Sequence, residues 1–155
     1  MKAPLLTICI ATYNRAGYIS ETLDSIVQQL TAEVELLVVD GASTDNTEAV
    51  MMSYCKRSKY IRYIRLPKKG GVDQDYDKSI ELAQGEMCWL FTDDDLLKPG
   101  AVSVVLDAIR KGYCLIVLNA EVRSRDLSVI LEDRRMKLSG DKDYTANKME
   151  NLFTD

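Results

Sequence analysis

Three short polar runs hold the side chains of this chain that could do chemistry. They are Thr12-Tyr13-Asn14, Asp40-Gly41-Ala42-Ser43 and Asp93-Asp94-Asp95. Each directly follows an apolar run that reads as a buried strand. Carboxylates crowded at one place repel each other unless a cation neutralises them. Oxygen ligands without histidine or paired cysteine suit Mg²⁺ or Mn²⁺. Mg²⁺ commonly takes one or two carboxylates and completes its shell with phosphate oxygens of a ligand. The acidic run therefore points to a divalent ion that carries a phosphorylated substrate.

Each residue also has a plainer reading. Acids near a helix N-terminus are favourable without any function, so Asp93-Asp94-Asp95 could cap the helix beside Pro99. Three acids directly after an apolar strand exceed what a cap requires, and metal binding is preferred. Asp40 reads as a turn residue before Gly41, or as a carboxylate accepting a hydrogen bond from a nucleobase N–H. Tyr13 reads as a core aromatic or as a wall of the base pocket, and Asn14 as a cap of the first helix. Gly70-Gly71 has the spacing of neither a P-loop nor a G-x-G-x-x-G fingerprint and reads as a loop.

Composition narrows the classes. The chain has 155 residues, 46% hydrophobic, which suits one globular domain with a proper core. It has no histidine, so Ser-His and Cys-His catalytic pairs are excluded and acid–base work falls to carboxylates. Cys9, Cys55, Cys88 and Cys114 form no C-x-x-C pair, so no zinc site is expected. Three of them lie in apolar runs that read as strands, where a free thiol is a small hydrophobe. A reducing cytoplasm is therefore expected. The net charge is −4 and the basic residues are scattered among acids, so no nucleic-acid partner is expected. The apolar start is short, contains Thr7 and lacks a small-residue cleavage site, so it reads as a strand rather than a signal peptide. No run is long and apolar enough to cross a membrane.

Strands and helices must alternate to position these runs. Leu5–Ala11, Glu35–Asp40, Tyr60–Leu66, Met87–Phe91 and Leu115–Leu118 read as five strands. Ile19, Leu23, Ile26, Val27 and Leu30 recur at helical spacing. A second helix is expected through Ala49, Val50 and Tyr54, with N-cap candidates Ser43-Thr44-Asp45. A third presents Tyr76, Ile80 and Ala83 on one face and stops at Gly85. The fourth buries Val102, Val105, Leu106 and Ile109 and ends at Gly112. Val122–Leu131 reads as a hairpin or irregular edge, and Met149, Leu152 and Phe153 as a short terminal helix. The fold class is α/β, a Rossmann-like, mostly parallel sheet with helices on both faces, whose strand ends share one ligand-binding rim.

These residues also resemble a known family. Ile8-Cys9-Ile10-Ala11-Thr12-Tyr13-Asn14-Arg15, then Val38-Val39-Asp40-Gly41-Ala42-Ser43-Thr44-Asp45-Asn46-Thr47, then Ala83-Gln84-Gly85-Glu86 leading to Leu90-Phe91-Thr92-Asp93-Asp94-Asp95, resemble family 2 glycosyltransferases of the GT-A fold. The likeness runs from about Leu5 to about Asn119. Gly71-Val72-Asp73-Gln74-Asp75-Tyr76-Asp77-Lys78 with Cys88-Trp89-Leu90-Phe91 further resembles the abequosyltransferase-like branch, which acts on bacterial surface polysaccharide.

The resemblance implies roles. Ala11, Thr12 and Tyr13 would wrap the nucleoside of a nucleoside-diphosphate sugar, and Asp40 would contact its base. Asp93 would approach the ribose or a metal-bound water. Asp94 would hold Mn²⁺ or Mg²⁺ under the diphosphate, and Asp95 would complete the metal motif. The implied reaction inverts the anomeric centre as an acceptor hydroxyl displaces nucleoside diphosphate. The acceptor would be a glycan or a lipid-linked sugar, which leaves peripheral attachment at the inner membrane face open. Residues 1–120 are expected to form the nucleotide-sugar-binding core, and 121–155 the start of an acceptor-side region that stops short.

Two departures from the family pattern matter. Tyr76-Asp77 stands where many relatives carry Arg-Asn, so Lys78, Lys69 or Lys68 is expected to replace the arginine. No catalytic base is recognisable, and Glu121, Asp126, Glu132 and Asp133 read as solvated surface charges. A non-catalytic nucleotide-sugar-binding module is the alternative reading. A sugar nucleotidyltransferase is disfavoured because no Gly-rich, basic loop follows the first strand. A receiver domain is disfavoured because the acidic cluster comes after the fourth strand.

Overall fold

The computed structural model describes residues 3–138 and 140–144. It divides into two compact units, one through Cys114 and one from Leu115 onward. The first unit holds strands β1 (Leu6–Thr12), β2 (Val34–Asp40), β3 (Ile61–Arg65) and β4 (Met87–Phe91). Helices α1 (Ile19–Val27), α2 (Thr47–Arg57), α3 (Val72–Leu82) and α4 (Ala101–Arg110) follow them in turn. All strand pairs are parallel, in the order β3-β2-β1-β4.

β1 and β2 are buried along their whole lengths. Continuous apolar runs are what a parallel sheet covered on both faces requires. Ile8, Ile10, Leu36, Leu37, Val38 and Val39 are fully enclosed, each contributing roughly 1.5–3 kcal/mol of burial. The right-handed crossover rule puts α1 and α2 on one face, since both connections step toward β3, and α3 on the other, since its connection steps back to β4.

One helix face, that of α3, differs from expectation. α1 buries Ile19, Leu23 and Ile26, as its spacing requires, and α4 buries Val102, Val105 and Leu106 before Gly112 ends it at φ 85°. α2 buries Thr47, Met51 and Tyr54, and Ala49 faces out. α3 buries Asp75 and Ser79, while Ile80 is exposed. Apolar periodicity marks the buried face only where that face is apolar, and the face of α3 against β1 and β2 is polar. α3 also ends at Leu82, ahead of Gly85. Gly85 serves close packing instead: a Cβ there would lie 2.5 Å from the Thr7 backbone nitrogen.

The expected fifth strand is absent. No strand covers 115–118, and Leu115, Val117 and Leu118 are exposed. A four-residue apolar run becomes a strand only when a ladder partner holds it, and β4 pairs with β1 alone among the described residues. Cys114 accordingly lies in no strand; the four thiols are all free. In the second unit, β5 (Val122–Arg123) and β6 (Ile130–Glu132) form an antiparallel hairpin with a register shift, as expected of 122–131. The helix expected around Met149 lies outside the described residues.

Candidate active site

The strand order reverses at β1: successive connections step one way to β2 and β3, then back past β1 to β4. Open α/β sheets take ligands at such a reversal, outside the carboxyl ends of the strands. A crevice of about 490 Å³ lies there. Ala11, Thr12 and Tyr13 line it from the end of β1, with Arg15 just beyond. Thr92, Asp93 and Asp94 line it from the end of β4, and Lys69, Gly71, Asp75 and Tyr76 from the start of α3.

Register explains the meeting. Ile10 pairs with Phe91, so two residues further on Thr12 comes level with Asp93. The Thr12 hydroxyl donates to Asp93 Oδ2 at 2.8 Å. Burial pushes the Asp93 carboxyl up, while the Thr12 hydrogen bond and the nearby Arg15 guanidinium pull it down. Arg15 Nε lies 3.4 Å from Asp93 Oδ1, and Nη2 lies 4.0 Å from Asp94 Oδ2. Arg15 was not among the residues singled out from the sequence, because it reads there as one scattered base among many.

Asp94 is exposed and faces the crevice, whereas Asp95 is exposed and does not line it. No group of three or more acids, cysteines or histidines converges on one point among the described residues. A hard divalent ion needs only one or two protein carboxylates when diphosphate oxygens complete its shell. Asp94, exposed on the crevice wall, fits that arrangement as a single carboxylate, while the Asp93 oxygens face Thr12 and Arg15.

Asp40 is placed differently from the expectation of a base contact. It is 0% exposed and does not line the crevice. Its Oδ1 accepts from the Ser43 N–H at 2.7 Å, and its Oδ2 accepts from the Tyr63 hydroxyl. Burial first, and then the Asp40 carboxylate, push the Tyr63 hydroxyl pKa up. Asp40 thus anchors the turn after β2 to β3.

Asn14 does not cap α1, whose N-cap is Tyr18. It adopts a left-handed φ of 55°, and its Oδ1 accepts from Thr44 N–H at 2.7 Å. Its own N–H donates to Ser43 Oγ at 2.9 Å, and Ala16 N–H to Asp45 Oδ2 at 3.1 Å. The loops after β1 and β2 are therefore knitted into one rigid rim. Asp45 also accepts from the Thr47 N–H at 3.0 Å, but the N-cap of α2 is Asn46, not one of the expected Ser43-Thr44-Asp45.

Of the three lysines weighed as replacements for the arginine, Lys69 lines the crevice, with its ammonium 3.9 Å from the Tyr13 ring centroid. Lys78 pairs with Glu81 at 2.9 Å on an exposed surface. The Tyr76 hydroxyl donates to the Phe91 carbonyl at 2.8 Å, fixing α3 against the end of β4. Asp75 is a crevice residue that sequence reasoning missed. It stands in the stretch 71–78 of the branch resemblance without a role there, and its i, i+4 spacing with Ser79 is legible only if a buried helix face is allowed to be polar.

A second hollow, of about 510 Å³, is lined by Gln29, Glu33, Gly100, Val102 and Arg110 among others. Its Arg110 and Glu33 pair with each other at 2.7 Å, and it holds none of the polar runs.

The pattern that defines "Glycosyl transferase family 2" matches residues 7–154. The chain belongs to that family. Abequosyltransferase RfbV of Salmonella typhimurium is 35% identical to this glycosyltransferase family 2 chain over 104 residues, covering 65% of the chain and 31% of the relative. Chondroitin synthase of Escherichia coli is 28% identical over 125 residues, covering 81% of the chain and 18% of the relative. The chain thus spans about a third or less of these relatives' lengths. The family 2 chain superposes on Staphylococcus aureus TarS 1–349 with a TM-score of 0.63 at 26% identity, covering 68% of the chain and 32% of TarS 1–349. It also superposes on mannosyltransferase PcManGT of Pyrobaculum calidifontis, in complex with GDP-Man and Mn²⁺, with a TM-score of 0.62 at 23% identity. That match covers 74% of the chain and 34% of PcManGT, and shows likeness of fold alone. The fold of this family 2 chain is GT-A.

Proposed function

We propose that this chain is the donor-binding part of an inverting glycosyltransferase that moves a sugar from a nucleoside-diphosphate sugar to an acceptor hydroxyl in bacterial surface polysaccharide synthesis. One observation carries the reading: Asp93 and Asp94 at the end of β4 share a crevice with Ala11, Thr12 and Tyr13 at the end of β1. Ala11, Thr12 and Tyr13 hold the nucleoside, with Asp93 beside the ribose or a metal-bound water. Asp94 holds Mn²⁺ or Mg²⁺, with Asp95 adjoining it in the acidic run. Asp40 contributes by bracing the rim. When bound, the ion supplies Lewis-acid stabilisation of charge growing on the departing diphosphate. Arg15 and Lys69 add fixed positive charge to the same crevice.

The acceptor in this reading is a glycan or a lipid-linked sugar, met in the cytoplasm at the inner membrane face. Among the described residues no helix is long and apolar enough to cross a membrane. Residues 1–120 form the donor core and 121–155 begin the acceptor side.

A second reading, donor binding without transfer, is favoured by how three acids of the hairpin unit, Glu121, Asp126 and Glu132, are engaged. Glu121 pairs with Arg123 at 2.6 Å and Glu132 with Arg135 at 3.2 Å. Hydrogen bonds from Ser124 and then Ser128 hold the Asp126 carboxyl down at about 2, far below a useful general base.

Thermal shift with UDP, GDP, CDP and dTDP, with and without Mn²⁺, tests the leading reading. One nucleotide with Mn²⁺ raises the melting temperature, and Asp94→Ala abolishes the metal-dependent part of the gain. No shift with any of the four ends it. Sugar transfer or slow donor hydrolysis by this chain rejects the second reading.

A further inference from the structure

We infer that Asp75 selects the nucleobase, its free carboxylate oxygen accepting a hydrogen bond from an N–H on the base's pairing edge. This rests on the donor-binding reading above and deepens it. Asp75 lines the crevice yet is only 3% exposed. Its Oδ1 is buried and finds no hydrogen-bond donor among the described residues. A buried acceptor left unmade is costly, and native structures leave few of them. An oxygen in that condition on a crevice wall is complementary to a donor that arrives with a ligand.

The surroundings are shaped around this carboxylate. A Cβ on Gly41 would fall 2.3 Å from Asp75 Oδ2, so only glycine admits the acid there. A Cβ on Gly70 would strike Gln74 Oε1 at 2.7 Å and stand in ordinary contact, 3.4 Å, with Asp75 Oδ1. Asp40, which the family resemblance assigns to the base, is already occupied by Ser43 and Tyr63. Asp75 packs against the residue that follows Asp40 and takes over its place at the crevice wall.

The chemistry of the partner follows from charge and shape. A carboxylate repels phosphate, so Asp75 does not hold the diphosphate. Its charged neighbours are Asp40 and Lys69, whereas the Asp93–Asp95 run acts on Tyr76. The crevice also offers the flat face of Tyr13, with Lys69 beside it. A planar heterocycle that bears an N–H satisfies both features. A site built around a buried acceptor rejects ligands that lack the matching donor far more strongly than an apolar pocket does.

The test is calorimetry on the full chain with Mn²⁺, using UDP, dTDP, CDP, GDP and inorganic pyrophosphate. Wild type prefers one nucleotide by tenfold or more. Asp75→Asn and Asp75→Ala shrink that preference to threefold or less, and pyrophosphate binding stays within twofold of wild type. Should both variants fail to fold, the wild type is titrated with the preferred nucleotide methylated at its pairing-edge nitrogen, and affinity falls at least tenfold. A folded Asp75 variant that keeps the preference, or equal binding of the methylated nucleotide, overturns the inference. If wild type binds none of the nucleotides, the donor-binding reading itself has failed.

Discussion

Thr12 and Asp93 stand 81 positions apart in the chain, and their side chains meet at 2.8 Å. This hydrogen bond ties the last residue of β1 to the acidic turn after β4 and sets the width of the crevice between them. Asp93 is buried on the rim, so its ionised form depends on what donates to it. Thr12→Val keeps the shape and removes the donor. A lost hydrogen bond to a charged group costs about 1.5–3 kcal/mol. Urea unfolding should show that loss, together with a smaller Mn²⁺-dependent shift on adding nucleotide. Unchanged stability would mean that Asp93 draws its support from Arg15 alone.

Gly85 lies where the chain between α3 and β4 presses on the start of β1. A Cβ would come within 2.5 Å of the Thr7 nitrogen and 2.7 Å of the Leu6 carbonyl carbon. Both are backbone atoms in a fully buried strand, so neither can move aside cheaply. Gly85→Ala should cost about 1–3 kcal/mol, the usual range for overpacking. Denaturant midpoints of the two proteins measure it, and a neutral result would show that β1 can shift.

The central strands β1 and β2 are legible because burial on both faces makes them continuous apolar runs, and the polar residues that follow the strands mark the crevice rim. That logic located Thr12, Tyr13, Asp93 and Asp94. It failed wherever a polar group is buried. Asp40 looked like a ligand contact, but its oxygens are consumed by Tyr63 and Ser43, a pairing across strands that no local pattern records. Asp75 lies off the face of Tyr76, Ile80 and Ala83 that apolar periodicity marks on α3, so periodicity gives it no role. The run at 115–118 had strand composition but no ladder partner, and strand formation is a property of pairs.

Stability should carry a pH signature from Asp75. Burial chiefly, and Asp40 next, raise its carboxyl above the ordinary 3.8, with Lys69 opposing. An acid whose folded pKa is raised binds more protons folded than unfolded, so stability falls as pH climbs from the ordinary value through the folded one. Asp75→Asn removes that penalty. The variant should exceed wild type at neutral pH, and the advantage should vanish as pH drops below about 3.8. Urea unfolding of both proteins across that window checks the sign. A constant difference at every pH would show that the effect is packing rather than charge.

Ala42 holds a left-handed φ of 65° in the turn after β2. Its N–H donates to the Asp40 carbonyl at 2.8 Å, and this tight bend brings the Ser43 N–H onto Asp40 Oδ1. For a residue with a Cβ that conformation costs roughly 1–2 kcal/mol. Glycine escapes the clash but adds unfolded-state freedom worth about 0.4–1 kcal/mol. Ala42→Gly should therefore stabilise the chain by roughly 0.5–1 kcal/mol, and Ala42→Val should destabilise it, because a branched Cβ tolerates this region least. Ala42 does not line the crevice, so the nucleotide-induced rise in melting temperature should be the same for alanine and glycine. Should glycine lower the stability, the bend would be held by contacts of the alanine methyl, and the turn would store no strain.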